Sequence, residues 1–261
     1  MKLFFSEFKA NYEKYHFPYQ VWLLKEDGDD ENKIYDNGFL PIRSGLNLYY
    51  LSRNVRVALE KFEPSSENRR ILKKSKNIEE RLIPLSGFNY GFTVQKFCKD
   101  YSDNKLGGVF STQDIRDIFT NNVYSHVFVF EDIETKKTVG YAVCHINDFL
   151  LQYACVFYDL GFVNQNLGAG MMLKSVIWAK ENRKKYIYLG SCYEEKALYK
   201  TEFKGVEFFN GFKWSDNIEE LKDLIANSSE NYLLKNKQYL ESFYEGDLSF
   251  LLSKFGIRVN F

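Results

Sequence analysis

A chain of 261 residues with only four cysteines, four prolines and three methionines leaves several classes of protein out of reach. Cys98, Cys144, Cys155 and Cys192 lie far apart and form no C-x-x-C. That argues against a zinc knuckle or an iron–sulfur site and fits reduced thiols, so no metal is expected. No apolar run approaches the roughly 20 residues of a membrane span. Residues 1–5 are too short an apolar stretch for a signal peptide, with Lys9 and Lys14 close behind. A cytoplasmic protein without a membrane partner is the expectation. Excess charge of one sign is missing too, since Lys plus Arg and Asp plus Glu number 35 each. Net charge therefore singles out no partner. Internal repeats and long low-complexity linkers are also absent.

What is present is a core and an uneven distribution of charge. Hydrophobic residues make up 45% and aromatics 18% of the chain, which places it among ordered globular proteins. Residues 53–76 hold eight basic side chains against three acidic ones, and residues 216–247 reverse those numbers. Opposed regions of this kind either orient an anionic partner or form two solvated faces.

Hydrophobic period divides the chain into three parts: an N-terminal region with a basic helix (1–85), a central domain (86–215) and an acidic, helical C-terminal extension (216–261). In the first, the charged segment 25–33 reads as a hairpin or surface loop between apolar runs at 19–24 and 34–40. Residues 48–62 read as a strand or strand pair, and Ser65 as the N-cap of a helix through Lys74. Pro84 and Gly87 mark the boundary. Beyond it, 91–101 has helical spacing, and Ser111 to Asp114 resembles a capping box ahead of a helix over 115–120. Strands follow at 126–131, 138–145 and 150–160. A glycine loop then leads to a helix over 171–182, a buried strand at 185–190, a helix over 194–203 and a strand at 206–214. The best helices of the tail are 219–225 and 232–244.

The loop Gln165-Asn166-Leu167-Gly168-Ala169-Gly170 sits between a strand and a helix. Gly168 and Gly170 remove Cβ atoms that would hold a ligand off the backbone, and a helix start offers free N–H groups to an anion. A glycine turn before a helix is also common in ordinary proteins. The loop resembles the Q/R-x-x-G-x-G/A signature with which enzymes of the GNAT fold hold the pyrophosphate of coenzyme A. The segment from Ala197 through Tyr199 to Gly205 resembles the late helix of those enzymes. Its tyrosine protonates a leaving thiolate in many of them, and Tyr199 matches that position. The alternative is a tyrosine packed on the sheet with its hydroxyl at the rim. The fold class expected is α+β: a GNAT-like, mixed and mostly antiparallel sheet flanked by helices.

A longer resemblance is to the arginyl-tRNA–protein transferases and their bacterial leucyl-transferring relatives, up to about Trp214. It is carried by Gly38-Phe39, Tyr49-Tyr50, Arg53, Arg56-Val57 and the stretch Ser65 to Arg70, which is similar to the family's S-x-S-Q-R-R. Phe157-Tyr158-Asp159, Leu167-Gly168, the stretch Tyr186 to Gly190, Tyr199-Lys200, Phe203-Lys204-Gly205 and Gly211 to Trp214 carry it further. The family's cysteine cluster near Tyr49–Arg56 is replaced here by Leu51 and Ser52. The intact Q-x-x-G-x-G is closer to an acyl-CoA enzyme than the family's usual L-G-x-Y.

This resemblance implies an aminoacyltransferase that moves an amino acid, arginine first, from charged tRNA to the N-terminal amine of a protein or peptide, with no bound cofactor. The expected catalytic residues are Asp159, Tyr199 and Tyr158. Gln165, Leu167, Gly168 and Gly170 are expected to bind the donor. Arg53, Arg56, Arg69, Arg70, Lys73, Lys74 and Lys200 are expected to bind tRNA or the acceptor. An aspartate ending a strand is often only a turn residue, and arginines on a helix are often a solvated face. Two other functions stay open: an acyl-CoA-dependent N-acyltransferase using acetyl-CoA, and a non-catalytic GNAT-like binding module.

Overall fold

The computed structural model describes residues 1–7, 11, 13, 18–42, 47–227 and 236–244, without the side chains of 163–165. Two sheets organise them. The smaller is four-stranded in the order β1 (Lys2–Glu7), β2 (Tyr19–Leu24), β4 (Leu48–Leu51) and β3 (Phe39–Pro41), with every pairing antiparallel. Helix α1 (Glu31–Asp36) leads into β3. The segment expected to be a hairpin or loop therefore turns helical at its end, because Asp30 caps it by accepting from the Asn32 N–H at 2.9 Å.

The larger sheet has eight strands. They are β5 (Asn54–Ala58), β6 (Ile78–Pro84), β7 (His126–Asp132), β8 (Thr138–Ile146), β9 (Leu150–Tyr158), β10 (Tyr186–Ser191), β11 (Val206–Phe209) and β12 (Trp214–Ser215). Their order is β12-β11-β5-β10-β9-β8-β7-β6. All pairs are antiparallel except β9 with β10. The apolar run at 48–62 is thus cut at Ser52–Arg53, β4 entering one sheet and β5 the other. Both β5 and β6 precede residue 86 yet belong to the large sheet.

Helices cover both faces. On one side, α2 (Ser66–Lys74) and α5 (Leu167–Glu181) pack over Val55, Leu151 and Ile187. On the other, α3 (Phe92–Leu106) and α4 (Thr112–Thr120) cover Val127, Tyr141 and Phe157. Ser65 and Ser111 cap α2 and α4 as expected, with capping boxes closed by Asn68 and Asp114, of which the sequence indicated only the second. At the chain's far end α6 (Ile218–Ala226) and α7 (Lys237–Tyr244) return to the core. They are tied there by buried Glu220, which accepts from Asn210, Ser215, Tyr239 and Tyr244 at 2.6–2.8 Å. Residues 232–235 of the tail helix expected at 232–244 lie outside the described residues. The helix expected over 194–203 is a 3₁₀ helix, Glu195–Thr201.

Helix α5 begins at Leu167, four residues earlier than its hydrophobic pattern indicates, so Gly168 and Gly170 stand in its first turn rather than in a loop. The reason lies in what presses on them. A Cβ on Gly170 would stand 2.9 Å from both Cβ and Oγ of buried Ser75, which ends α2. Gly170 therefore permits the close crossing of α2 and α5. A Cβ on Gly168 would meet the Tyr158 ring at 3.0 Å.

Candidate active site

β9 and β10 pair in parallel only where Leu150–Gln152 face Tyr186–Tyr188, and beyond that they part. Each strand carries an extra residue at the split. In β9, Cys155 pairs with Val143 and Tyr153 with Cys144, leaving Ala154 over. In β10, Tyr188 pairs with Arg56 and Gly190 with Val55, leaving Leu189 over. Bulges bend the strands that bear them and free backbone groups from the ladder. Gly190, at φ +83°, supplies the left-handed backbone that β10 needs there.

A cavity of about 670 Å³ opens in this split. Its floor is Gln152 to Cys155 of β9 and Leu189 to Ser191 of β10. The small sheet supplies one wall through Trp22, Leu40, Ile42 and Tyr50, and α4 supplies another through Asp114 and Asp117. Lys200 closes a third side. Rings share the lining with Gln152, Ser191, Lys200 and the two carboxylates of α4, which suits a small organic group with polar or charged substituents.

The small sheet is fastened to this wall by α1. The Tyr35 hydroxyl, fully buried, donates to Gln152 Oε1 at 2.6 Å. The Glu31 carboxylate meets His145 Nε2 at 2.9 Å, the Tyr49 hydroxyl at 3.1 Å and Asn147 Nδ2 at 3.2 Å. Burial raises the Glu31 pKa, but His145, Lys25 and Asn147 outweigh it and bring it down to about 2. The folded chain thus favours ionised Glu31 over the unfolded chain, where the value is 4.5. Stability from this source is present above pH 4.5 and is lost as pH falls toward about 2. Glu31→Gln is expected to cost about 2–3 kcal/mol at pH 7, with the gap to wild type closing below pH 4.5. Urea unfolding from pH 7 to pH 2 measures it, and a pH-independent gap would remove the ionic contribution.

A group of tyrosines gathers outside the cavity lining, at the end of β9. Tyr101 of α3 and Tyr158 of β9 are hydrogen-bonded, with ring centroids 4.8 Å apart. Tyr199, about half exposed, adjoins Tyr158, and burial followed by Tyr158 and Cys192 raises its pKa above the ordinary tyrosine value. Its phenol is therefore protonated at neutral pH and can give up a proton to a stronger base. Tyr199 does not line the cavity, whereas the adjacent Lys200 does.

The other expected site residues scatter more widely. Asp159 is exposed, and its Oδ1 accepts from the Gly161 N–H at 2.8 Å, so its carboxylate shapes the turn after β9. Leu167 is buried in the core, and the Gln165 side chain lies outside the described residues. Of the basic residues, Arg69, Arg70, Lys73 and Lys74 are exposed on α2. Arg69 Nη1 donates to the Pro64 carbonyl at 2.7 Å, and Arg70 pairs with Glu67. Arg56 and Arg53 sit differently from the α2 residues. Arg56 is only 5% exposed and stacked between the rings of Tyr186 and Trp214, each 3.8 Å from its guanidinium carbon. It also pairs with Asp36 and Glu207. Half-buried Arg53 donates to the Leu224 carbonyl at 3.3 Å and lies over the Tyr193 ring. Arg56 is thus committed to contacts within the fold, while Arg53 keeps guanidinium donors beyond its one bond. Sequence reasoning missed Ala154, Gln152, Glu31 and the α4 carboxylates. Only the polar Gln152 inside the apolar run 150–158 gave any signal.

Among the described residues no group of three or more His, Cys, Asp or Glu side chains is placed to hold a metal. No helix among them is long and apolar enough to cross a membrane.

A strand meander β7-β8-β9, a helix entered through two glycines and a parallel β10 that parts from β9 place this chain in the GNAT-like α+β class. Residues 89–210 match the family model described as arginine-tRNA-protein transferase, C terminus. The chain is similar to the aminoacyl-tRNA–protein transferases, the family its motifs resemble. It is 24% identical over 170 residues to an aspartate/glutamate leucyltransferase of Xanthomonas oryzae pv. oryzae (strain PXO99A), covering 62% of this chain and 68% of that protein. With the enzyme of the same name from Ruegeria sp. (strain TM1040) it shares 21% over 235 residues, 84% of this chain and 82% of that protein. Among solved structures, L-PGS from Bacillus licheniformis superposes with a TM-score of 0.41 at 13% identity, covering 67% of this chain and 55% of that one. The GCN5-related glucosamine N-acetyltransferase region of a fungal multi-domain β-N-acetylglucosaminidase gives 0.43 at 9%, over 60% of this chain and 20% of that one. The fold assignment rests on strand order rather than on these two likenesses.

Proposed function

We propose that this chain transfers an amino acid from charged tRNA to the N-terminal amine of a protein or peptide. The observation that carries the proposal is the cavity at the bulged split of β9 and β10, within the segment that matches the family model. The amine, with an ordinary pKa of about 7.7–8.0, attacks the ester carbonyl that joins the amino acid to the ribose. A new C–N bond forms, the amine loses a proton, and the ester C–O bond breaks as the ribose oxygen takes a proton. In this reading the backbone N–H of Ala154, the extra residue of the β9 bulge, receives the developing oxyanion. Tyr199 protonates the leaving oxygen, and Asp159, in the turn after β9, takes up the amine proton. Exposed Arg69, Arg70, Lys73 and Lys74 on α2 supply phosphate contacts. The first turn of α5 faces the donor with N–H groups that lack partners within the helix.

The amino acid itself is part of the proposal. The family model's description names arginine and the relatives' names specify leucine, so both donors are tested. Radiolabelled arginyl- and leucyl-tRNA are supplied with peptides beginning Asp, Glu or Ala, beside acetyl-CoA with the same peptides. Transfer from at least one charged tRNA is expected, and none from acetyl-CoA. Acetyl transfer alone would replace this reading with the acyl-CoA enzyme. Peptide binding without transfer from any donor would replace it with a binding module.

A further inference from the structure

The two faces of the small sheet are used differently. Alternation along its strands and the register between them put Leu23, Tyr49 and Phe39 on one face, where they are buried with Ile34 and Tyr35 of α1 and Tyr188 of β10. The other face carries Phe4, Trp22, Tyr50 and Leu40, which are cross-strand neighbours in that order on β1, β2, β4 and β3. Trp22, Tyr50 and Leu40 line the cavity. Phe4 does not, and at 47% exposed it carries the row out to the surface. The Trp22 and Tyr50 rings stand 6.3 Å apart and are tilted by 54°, so each offers its own face.

The remaining strand positions of this face narrow its occupant. They are Lys2, Ser6, Gln20, Leu24 and Leu48, which bring one cation, two hydrogen-bonding side chains and no carboxylate. Lys2 stays 66% exposed beside its ion pair with Glu26. Rings in a row on an antiparallel sheet, with no acid among them, suit flat groups joined by an anionic backbone, the bases of single-stranded RNA. A peptide fits less well, since its free amine would look for a carboxylate and its alternate side chains for separate pockets. The direction of the row matters as well. An ester at the end of an unpaired RNA strand reaches the cavity only if the nucleotides before it leave along an open wall, and the row from Tyr50 through Trp22 to Phe4 is such a wall.

We propose that this face of the small sheet binds the unpaired nucleotides at the 3′ end of the donor RNA, with bases stacked on Phe4, Trp22 and Tyr50. The inference deepens the donor half of the function proposed above and rests on it. It gives the small sheet a part in binding that is separate from the cations of α2 and from the first turn of α5. Every base has a π face, so the contact reads an unpaired end rather than a base sequence.

The test uses uncharged RNA, so it does not depend on transfer. An RNA hairpin with a short unpaired 3′ overhang, the same hairpin with a blunt end and a short apolar peptide are titrated into wild type, Phe4→Ala, Phe4→Tyr, Trp22→Ala and Trp22→Phe, each checked for its unfolding temperature. Wild type is expected to prefer the overhang to the blunt end by about tenfold or more, whatever the overhang's sequence. Phe4→Ala and Trp22→Ala should each weaken overhang binding by about fivefold or more and leave the blunt hairpin unaffected, a split that loss of fold would not produce. Phe4→Tyr and Trp22→Phe keep a ring and should keep most of the affinity. No preference for the overhang in wild type, or a preference untouched by both alanine variants, overturns the inference. So does an apolar peptide that displaces the overhang and loses affinity in the same variants, because the face is then a peptide site. Transfer from charged tRNA with a KM that Phe4→Ala does not move overturns the inference and leaves the transfer standing. Overhang binding that depends on the rings, in a protein that transfers from no charged tRNA, supports the inference and overturns only the transfer.

Discussion

Arg56→Ala is expected to destabilise the chain by about 3–5 kcal/mol, the usual cost of removing one partner from a buried ion pair. The guanidinium is buried at the centre of the large sheet, and four kinds of contact end with it. The Tyr186 and Trp214 rings lose the plate between them, Glu207 loses a bond of 2.9 Å and Asp36 one of 2.6 Å, and the Tyr188 hydroxyl loses a donor at 3.3 Å. Asp36 is well exposed, so water recovers its share. Glu207 is mostly buried and is not so easily compensated. Domains of this size are stable by about 5–15 kcal/mol, so the loss is large enough to show in expression as well as in urea unfolding. Arg56→Met, which refills the slot between the rings without the charge, should recover part of it. A stable Arg56→Ala protein with weakened RNA binding would instead return this arginine to the surface role that its place in a basic stretch suggests.

That arginine shows where the sequence is legible and where it stops. Arg53, Arg56, Arg69 and Arg70 look alike in a local count of charge. Residue type does not say that β5 runs through the middle of a sheet, between β11 and β10, which buries every side chain from Asn54 to Ala58. Local signals fared better. Ser65 and Ser111 were readable as caps because the contacts that define a capping box lie within three residues. The hairpin β7–β8 was readable from its polar turn. The glycines in the first turn of α5 stand out in the sequence, but the neighbour that requires Gly170 is Ser75, almost a hundred residues earlier. The site depended on still longer connections. Gln152 is bonded to Tyr35 and His145 to Glu31, each across more than a hundred residues. No period or motif encodes such pairs.

Removing one backbone N–H at the split should cost more activity than most side-chain changes there. Ala154 is the extra residue of β9, left out of the pairing with β8, and β10 has already turned away on its other side. The sequence hides this bulge because Leu150 to Tyr158 is apolar on both faces, so a change of register produces no break in pattern. If the amide at residue 154 holds the oxyanion, Ala154→Pro deletes the donor while leaving a residue that bulged strands accept. Loss of one such donor lowers turnover by about a hundredfold to a thousandfold. KM for charged tRNA should change little, because the charge that this amide meets exists only in the transition state. Ala154→Gly, which keeps the N–H, should retain most of the turnover and serves as the control for a disturbed strand. Circular dichroism and urea unfolding establish that both variants are folded. Equal losses in the two variants, or a Pro variant as active as wild type, would move the oxyanion away from β9. The remaining source of donors would then be the first turn of α5, where the Gly168 backbone lies against Tyr158.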